Sequence, residues 1–259
     1  MTFLDLHRPG RPLVAPNPWD AGSARVLASL GFEALATTSG GHAATLGRLD
    51  GNATREEVLD NARAIARATP LPVTADLEHG YGADDAGVTE TVSLARGAGL
   101  AGVSIEDWDG ARFRSVEEAA ARVAAAVAAA GEHLVVTARA DNHVHRVDDL
   151  ADTIARLQAY EAAGAHVVYA PGLARVEDIR AVVEAVGVPV NALLRAGGPS
   201  VPELAAAGAA RVTVGGALAY AALGAVVEMA SELREAGTAS YGRLSAVGAK
   251  AARAAFADG

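Results

Sequence analysis

Cysteine is absent from all 259 residues, which excludes disulfides, thiolate metal sites and a cysteine nucleophile. Long apolar runs are missing as well, and nothing approaches the roughly 20 residues that a membrane span needs. The N-terminus carries Asp5, Arg8 and Arg11 with no apolar segment behind them, so no secretory signal is expected. Basic residues are outnumbered, 22 Lys and Arg against 31 Asp and Glu, for a formal charge of −9. That balance argues against nucleic acid, whose binding rests on a basic footprint. What remains is a chain that is 51% hydrophobic, of a length at which one large α/β domain is ordinary. The expectation is a soluble cytoplasmic protein that works on a small molecule, with no nucleic-acid or membrane partner.

Short apolar, β-branched runs recur along the chain with helical stretches between them. Strands are expected near Leu13–Pro16, Ala34–Ser39, Val73–Leu77, Val103–Asp107, Leu134–Asp141, Val167–Ala170, Val190–Leu194 and Val212–Gly215. Continuous apolar runs of this kind suit parallel strands covered on both faces. Between them, Val58, Leu59, Ala62 and Ile65 share one helical face, as do Ile179, Val182, Val183 and Val186. Thr54 with Glu57, and Ser115 with Glu118, have capping-box spacing. Gly31, Gly99, Gly164 and Gly208 each stand just before a strand, where glycine closes a helix. Eight strand–helix alternations without a break in composition predict a single (β/α)8 TIM barrel over 1–259. A doubly wound open sheet is the alternative, but no Gly-x-Gly-x-x-Gly follows the first strand. Two extra helices, Leu218–Ala236 and Tyr241–Phe256, come after the last strand. The first is apolar over more than one stripe, so the segment 218–259 is expected at a subunit interface.

The polar residues at strand ends carry the chemistry. Thr74-Ala75-Asp76-Leu77-Glu78-His79-Gly80-Tyr81-Gly82 sets two acids two residues apart, hence on the same side of a strand. At the C-terminal mouth of a barrel such carboxylates suit magnesium, which takes oxygen ligands and keeps several waters. Glu106 ends another apolar strand and could serve the same cation. Thr38-Ser39-Gly40-Gly41 offers a hydroxyl and consecutive amides for an anion. Arg139 sits in an otherwise apolar strand, either to grip a substrate carboxylate bidentately or to pair with Glu106 or Asp107. Asn191 is a lone polar residue on the seventh strand, Asp50 lies in the loop after the glycines, and Trp19 is expected as an apolar wall of the mouth. His42, His79, His143 and His145 show no zinc spacing and read as solvated loop residues. Gly197-Gly198 and Val214-Gly215-Gly216 leave open a phosphate cradle of the kind some barrels build.

Taken together, these residues resemble the isocitrate lyase/phosphoenolpyruvate mutase superfamily. The matching pieces are Pro16-Asn17-Pro18-Trp19-Asp20-Ala21, Thr38-Ser39-Gly40-Gly41, Asp76-x-Glu78-x-Gly80-Tyr81-Gly82, Ile105-Glu106-Asp107 and Ala138-Arg139-Ala140-Asp141. They run in the family's order, from about Pro16 to Leu218. The resemblance implies a magnesium-bound (β/α)8 barrel acting on small 2-oxo acids, or making them by C–C or P–C cleavage. It implies helix exchange within a homodimer or homotetramer. It also implies Asp76 as the direct metal ligand, with Glu78 and Glu106 reached partly through water and Asp50 nearby. Ser39, Gly40, Gly41 and Arg139 would bind the substrate, and Asn191 falls near the family's polar position on the seventh strand. Candidate catalytic residues are therefore Asp50, Arg139 and Ser39. Two departures stand out. The usual Asp-x-Asp is Asp76-x-Glu78, one methylene longer. The Lys-Lys/Arg-Cys-Gly-His loop of the isocitrate and methylisocitrate lyases is missing, replaced by Trp108-Asp109-Gly110-Ala111-Arg112-Phe113-Arg114. Cleavage by that standard route is not expected. A magnesium-dependent lyase or decarboxylase of a small 2-oxo or 2-hydroxy acid is the leading expectation. The alternatives are a phosphonopyruvate-type mutase or hydrolase and a non-catalytic 2-oxo acid binding protein.

Overall fold

Local capping chemistry sets where the helices begin. Thr54 and Ser115 form complete capping boxes with Glu57 and Glu118, opening α3 (Arg55–Arg67) and α5 (Val116–Ala130). Gly31, Gly99, Gly164 and Gly208 all take φ between 81° and 95°, as residues past a helix end do. They release the chain into β2 (Leu35–Ala36), β4 (Gly102–Glu106), β6 (Val167–Tyr169) and β8 (Arg211–Thr213). The remaining strands are β1 (Leu13–Val14), β3 (Val73–Asp76), β5 (Val135–Arg139) and β7 (Val190–Leu193). The computed structural model describes residues 2–257; Met1 and the last two residues of the 1–259 and 218–259 spans lie outside the described residues.

All strand pairings are parallel, in the order β1-β8-β7-β6-β5-β4-β3-β2. The ends of that sheet meet: the Ala36 N–H donates to the Pro16 carbonyl at 3.1 Å, joining the strand after β1 to β2. Asn17 adds to the seam, its Nδ2 donating to the Thr37 carbonyl while its Oδ1 accepts from Val214 and Gly215. The eight-stranded TIM-like fold read from the sequence is therefore the one observed. Strands are shorter than expected. Ala34–Ser39 stops at Ala36, because Thr38 caps a further helix, α2 (Ser39–Thr45). Val73–Leu77 stops at Asp76, because Glu78 turns out of the strand with φ 48°.

The apolar residues of the strands face the helices. Val73, Ala75, Val103, Ile105 and Val136 pack in one cluster with α3, α4 (Asp85–Gly97) and α5; Ala138, Val168, Val190, Ala192 and Val212 pack in another. By alternation the opposite faces of those strands line the barrel interior, and they carry Thr74, Asp76, Ser104, Glu106, Thr137, Arg139, Tyr169, Asn191, Arg211 and Thr213. A barrel interior is ordinarily filled with Val, Ile and Leu; this one is polar. Below it, the short 3₁₀ turn Leu4–Leu6 brings Phe3 and His7 under the strands, ring to ring at 5.1 Å.

After β8 come α9 (Ala217–Ala236) and α10 (Gly242–Phe256). The start of α9 packs on α2, and α10 folds back over α1 (Ala21–Ser29). Neither covers the apolar face of α9, where Val226 and Val227 are 58% and 64% exposed. Among the described residues no helix is long and apolar enough to cross a membrane.

The loop between β3 and α4, which carries Glu78, depends on a backbone contact. A Cβ at Gly82 would lie 2.4 Å from the Gly87 Cα, with no flexible side chain to yield. Arg122 holds the same loop, donating to the carbonyls of His79 and Gly82 at 2.8 and 2.7 Å. Gly82→Ala is therefore expected to destabilise the protein by about 1–3 kcal/mol. Gly97→Ala, in α4 with nothing near the new methyl, should be neutral or slightly stabilising. Denaturant midpoints of the two variants check this.

Candidate active site

The C-terminal mouth is built around one guanidinium. Arg139, the last residue of β5, points inward and meets three carboxylates: Asp141 at 2.7 Å, Asp76 at 2.9 Å and Glu106 at 3.1 Å. The Asp141 contact is bidentate, Nε and Nη2 each donating to one carboxylate oxygen. Neighbouring strands bring these groups together, Glu106 standing in register with Arg139 and Asp76 with Ser104. Asp76 Oδ1 also accepts from Ser104 Oγ and from the Glu78 amide, both at 3.3 Å.

Behind this cluster lies a second, more deeply buried one. Asp107 accepts from the Asp141 amide at 2.9 Å, from Arg156 at 3.0 Å and from the Tyr160 hydroxyl at 2.8 Å. It therefore positions the acid that clamps Arg139. Of the two acids that Arg139 was expected to pair with if not with substrate, Glu106 is a partner and Asp107 is not, because Arg156 has it. Glu78 sits beside the cluster and accepts from the Tyr81 hydroxyl.

The mouth has two lobes that share Ser39, Asp50, Arg139 and Val144 as common walls. The inner lobe, about 260 Å³, reaches Asp76, Asn191 and Arg211. The outer lobe, about 400 Å³, is bounded by Glu78, Glu106, Asp141 and Trp108. All of the acids expected at one end of the barrel are thus at that end. Asp76, Glu78 and Glu106 stand near one another at that mouth, but not as a ready set of direct ligands to one ion. Among the described residues no group of three or more His, Asp or Glu is placed to hold a metal. The reason is Arg139, which stands between the lobes and draws Asp76 and Glu106 to itself, while Glu78 turns to Tyr81.

Other expectations are corrected too. The glycines after β2 begin a helix rather than a loop, and the Gly41 amide is engaged by the Thr38 cap at 3.3 Å. Gly41 faces away from the mouth, its Cβ position 3.1 Å from the Trp19 Cβ. Trp19 accordingly backs α2 and lines neither lobe. Ser39 does face the cavity and hydrogen-bonds Asp50, and Gly40 leaves the room in which the Asp50 carboxylate sits. Asn191 is in place, donating to Thr213 at 3.1 Å. The phosphate-cradle reading fails at Val214 and Gly215, whose amides both go to Asn17 Oδ1 at 2.8 and 2.9 Å. His42 is buried on α2 rather than solvated, and His145 stacks on Trp108. Asn17, Tyr169, Asp141 and Arg211 were missed as site residues. The signal for Arg211 was the one that exposed Arg139, a cation in an apolar strand.

One guanidinium cannot neutralise so many acids. Burial raises the Glu106 carboxyl well above its usual range against the pull of Arg139, with Asp141 and Asp76 adding to the rise. Asp50 is exposed as a residue, but its carboxyl turns into the mouth, where desolvation and then Asp76 push it up. Burial brings Glu78 up to about 7, Tyr81 opposing and Asp76 assisting. An all-carboxylate donor set with surplus negative charge fits a hard divalent cation held through few direct ligands and several waters; it does not form a closed protein cage.

The profile of the phosphoenolpyruvate phosphomutase family matches residues 3–234. The chain is 32% identical to the oxaloacetate decarboxylase of Pseudomonas fluorescens over 258 residues, covering 91% of this chain and 87% of that one. It is 32% identical to the 2-methylisocitrate lyase of Escherichia coli, covering 73% and 71% of the two chains. Among solved structures, 2,3-dimethylmalate lyase superposes with a TM-score of 0.81 at 31% identity, over 90% of this chain and 85% of the other. The chain belongs to the isocitrate lyase/phosphoenolpyruvate mutase superfamily. Its relatives include lyases and decarboxylases, which supports an enzyme that breaks carbon–carbon bonds.

The raised Glu78 group has a consequence for stability. The neutral form is favoured in the folded state, so its contribution is fully present below the unfolded value near 4.5 and is lost as pH rises through about 7. Metal-free protein should lose stability relative to Glu78→Gln between pH 4.5 and 7.5. Chemical denaturation of both proteins in EDTA at the two pH values measures this; a constant difference would contradict it.

Proposed function

We propose that the protein is a magnesium-dependent lyase that cleaves or decarboxylates a small 2-oxo or 2-hydroxy carboxylic acid. The observation that carries this reading is the acid–guanidinium cluster of Asp76, Glu106, Asp141 and Arg139 facing a small polar cavity at the barrel mouth. Asp76 would hold the cation directly, with Glu78 and Glu106 acting through water. The bound ion would supply Lewis acidity toward a carbonyl oxygen. The chain's own groups do the rest. Ser39 and the open N-terminal end of α2 take the acid end of the substrate, and Arg139 offers it a planar fork. Val144 and Trp108 limit water at the mouth. In decarboxylation the C–C bond breaks, carbon dioxide leaves, the electron pair passes into an enolate, and a solvent proton completes the 2-oxo acid product. That sequence needs no protein thiol, in keeping with the missing cysteine loop.

Carbon–phosphorus chemistry has less support. Of the two cations on the hairpin after β4, Arg112 is tied to Glu118 at 3.0 Å, and Arg114 lines neither lobe. We further propose a homodimer or homotetramer formed through α9 and α10. Support comes from the bare apolar face of α9, continued by Leu244 and Val247 on α10.

Incubation with a panel of 2-oxo acids and phosphonates, with and without magnesium, should show metal-dependent pyruvate release from a C–C substrate. Asp76→Ala should abolish it without unfolding the protein, and Arg139→Lys should lower kcat/KM by about tenfold or more, since an ammonium cannot reproduce the fork. Binding without turnover of any compound would favour the non-catalytic reading, and full activity in Arg139→Lys would reduce that residue to a structural ion pair. For the assembly, light scattering at micromolar concentration should show an oligomer, and Val226→Glu with Val227→Glu should shift it to monomer; a native monomer would refute it.

A further inference from the structure

Below the acid cluster the barrel interior holds a cation that no acid balances. Arg211 opens β8, in register with Leu13 on one side and Asn191 on the other, and is only 3% exposed. Its Nη1 donates to His7 Nε2 at 3.4 Å. The far side of the ring fixes the direction of that bond, because His7 Nδ1 lies 3.1 Å from the Phe3 carbonyl and must carry the proton. Burial, and then Arg211 itself, hold His7 down at about 3, so it supplies a lone pair and no charge. Tyr169 is the other near group, and burial pushes its phenol up to about 12, so it too stays neutral. Among the described residues no carboxylate pairs with Arg211; the acids of the mouth are gathered around Arg139. Burial lowers the guanidinium only to about 10, so it is charged at neutral pH.

Donor satisfaction and charge balance are separate demands here. A neutral imidazole or a water accepts from a guanidinium, but neither cancels its charge, and an uncompensated buried charge is costly enough to be rare. Only an anion answers both. Arg211 lines the inner lobe, so an anion can reach it from the mouth. Three features limit what that anion is. The small exposed fraction of Arg211 suits a compact ion and not a branched acid group. Asp50 and Asp76 line the same lobe and repel a multiply charged species more than a singly charged one. Thr74 is buried on the same lining with its hydroxyl unpartnered, a neutral donor to add to the guanidinium.

We propose that the floor of the inner lobe is a binding site for a small inorganic monoanion of halide size, held by Arg211. The ion completes the charge balance of the barrel interior and is no part of the substrate. With Arg211 so occupied, Arg139 is the cation that an incoming acid meets. The site stands whether or not the protein is a lyase.

Melting temperatures of the native protein and of Arg211→Gln, in sodium chloride and in sodium methanesulfonate at matched ionic strength, test it. Methanesulfonate carries the same charge on a bulkier head, so the comparison separates binding from screening. Chloride should raise the native melting temperature saturably, by about 3 °C or more over methanesulfonate. Arg211→Gln should melt alike in the two salts. Should that variant fail to fold, crystals of the native protein soaked in bromide decide, with anomalous density expected beside Arg211. Equal melting of the native protein in the two salts, the same chloride response in the variant, or bromide density absent from Arg211 would overturn the proposal.

Discussion

The attraction between Arg139 and the three carboxylates around it decides how the mouth of this barrel is arranged. In a partly dehydrated site each isolated charge costs several kcal/mol, so a guanidinium with planar donors becomes the point about which the acids settle. Asp141 takes the bidentate face, Asp76 and Glu106 the remaining donors. The acids still outnumber the base, and the excess appears as raised pKa values at Glu78, Glu106 and Asp50. A site in that condition favours a cation, and any anion that approaches Arg139 competes with groups already holding it. Binding and ion pairing are thus exchanges at one guanidinium rather than separate events.

Precision in that cluster comes from residues around it, Asp107 behind the wall and Asn17 on the lining of the inner lobe. Asp107 is buried, yet it fixes the Asp141 backbone and ties it to α6 (Leu150–Ala162) through Arg156 and Tyr160. Asn17 does comparable work on the opposite side, binding the ends of β1, β2 and β8 with one amide. Where other superfamily members carry a cysteine loop, this chain has a short hairpin in which Trp108 pairs with Phe113 and stacks on His145. A closed aromatic hairpin is suited to restricting water, not to supplying protons. This agrees with a reaction that asks for an electron sink more than for a protein acid.

The polar interior adds a second constraint. With Thr74, Thr137, Asn191 and Arg211 facing inward, the barrel gives up part of the apolar filling that usually stabilises it. The buried apolar surface lies instead between the strands and the surrounding helices. Such a distribution leaves space and charge on the axis for a ligand.

Sequence alone was enough for the fold and for the acids and Arg139 at the mouth. Helix starts at Thr54 and Ser115, helix ends at the four glycines and the apolar strand runs depend on contacts a few residues apart, so a local pattern records them. The acids and Arg139 stood out because charge at the end of an apolar strand is costly unless it is used. Tertiary structure decided what those charges do to one another. Glu78 leaves its strand through a backbone turn, Gly41 faces Trp19 and not the cavity, and Arg139 takes Asp76, Glu106 and Asp141 as its partners. Each of these depends on distances between residues far apart in the chain, which no spacing in the sequence encodes. The same holds for Arg211: its sequence neighbours show a cation in a strand, and only the closed barrel shows that among the described residues no acid pairs with it.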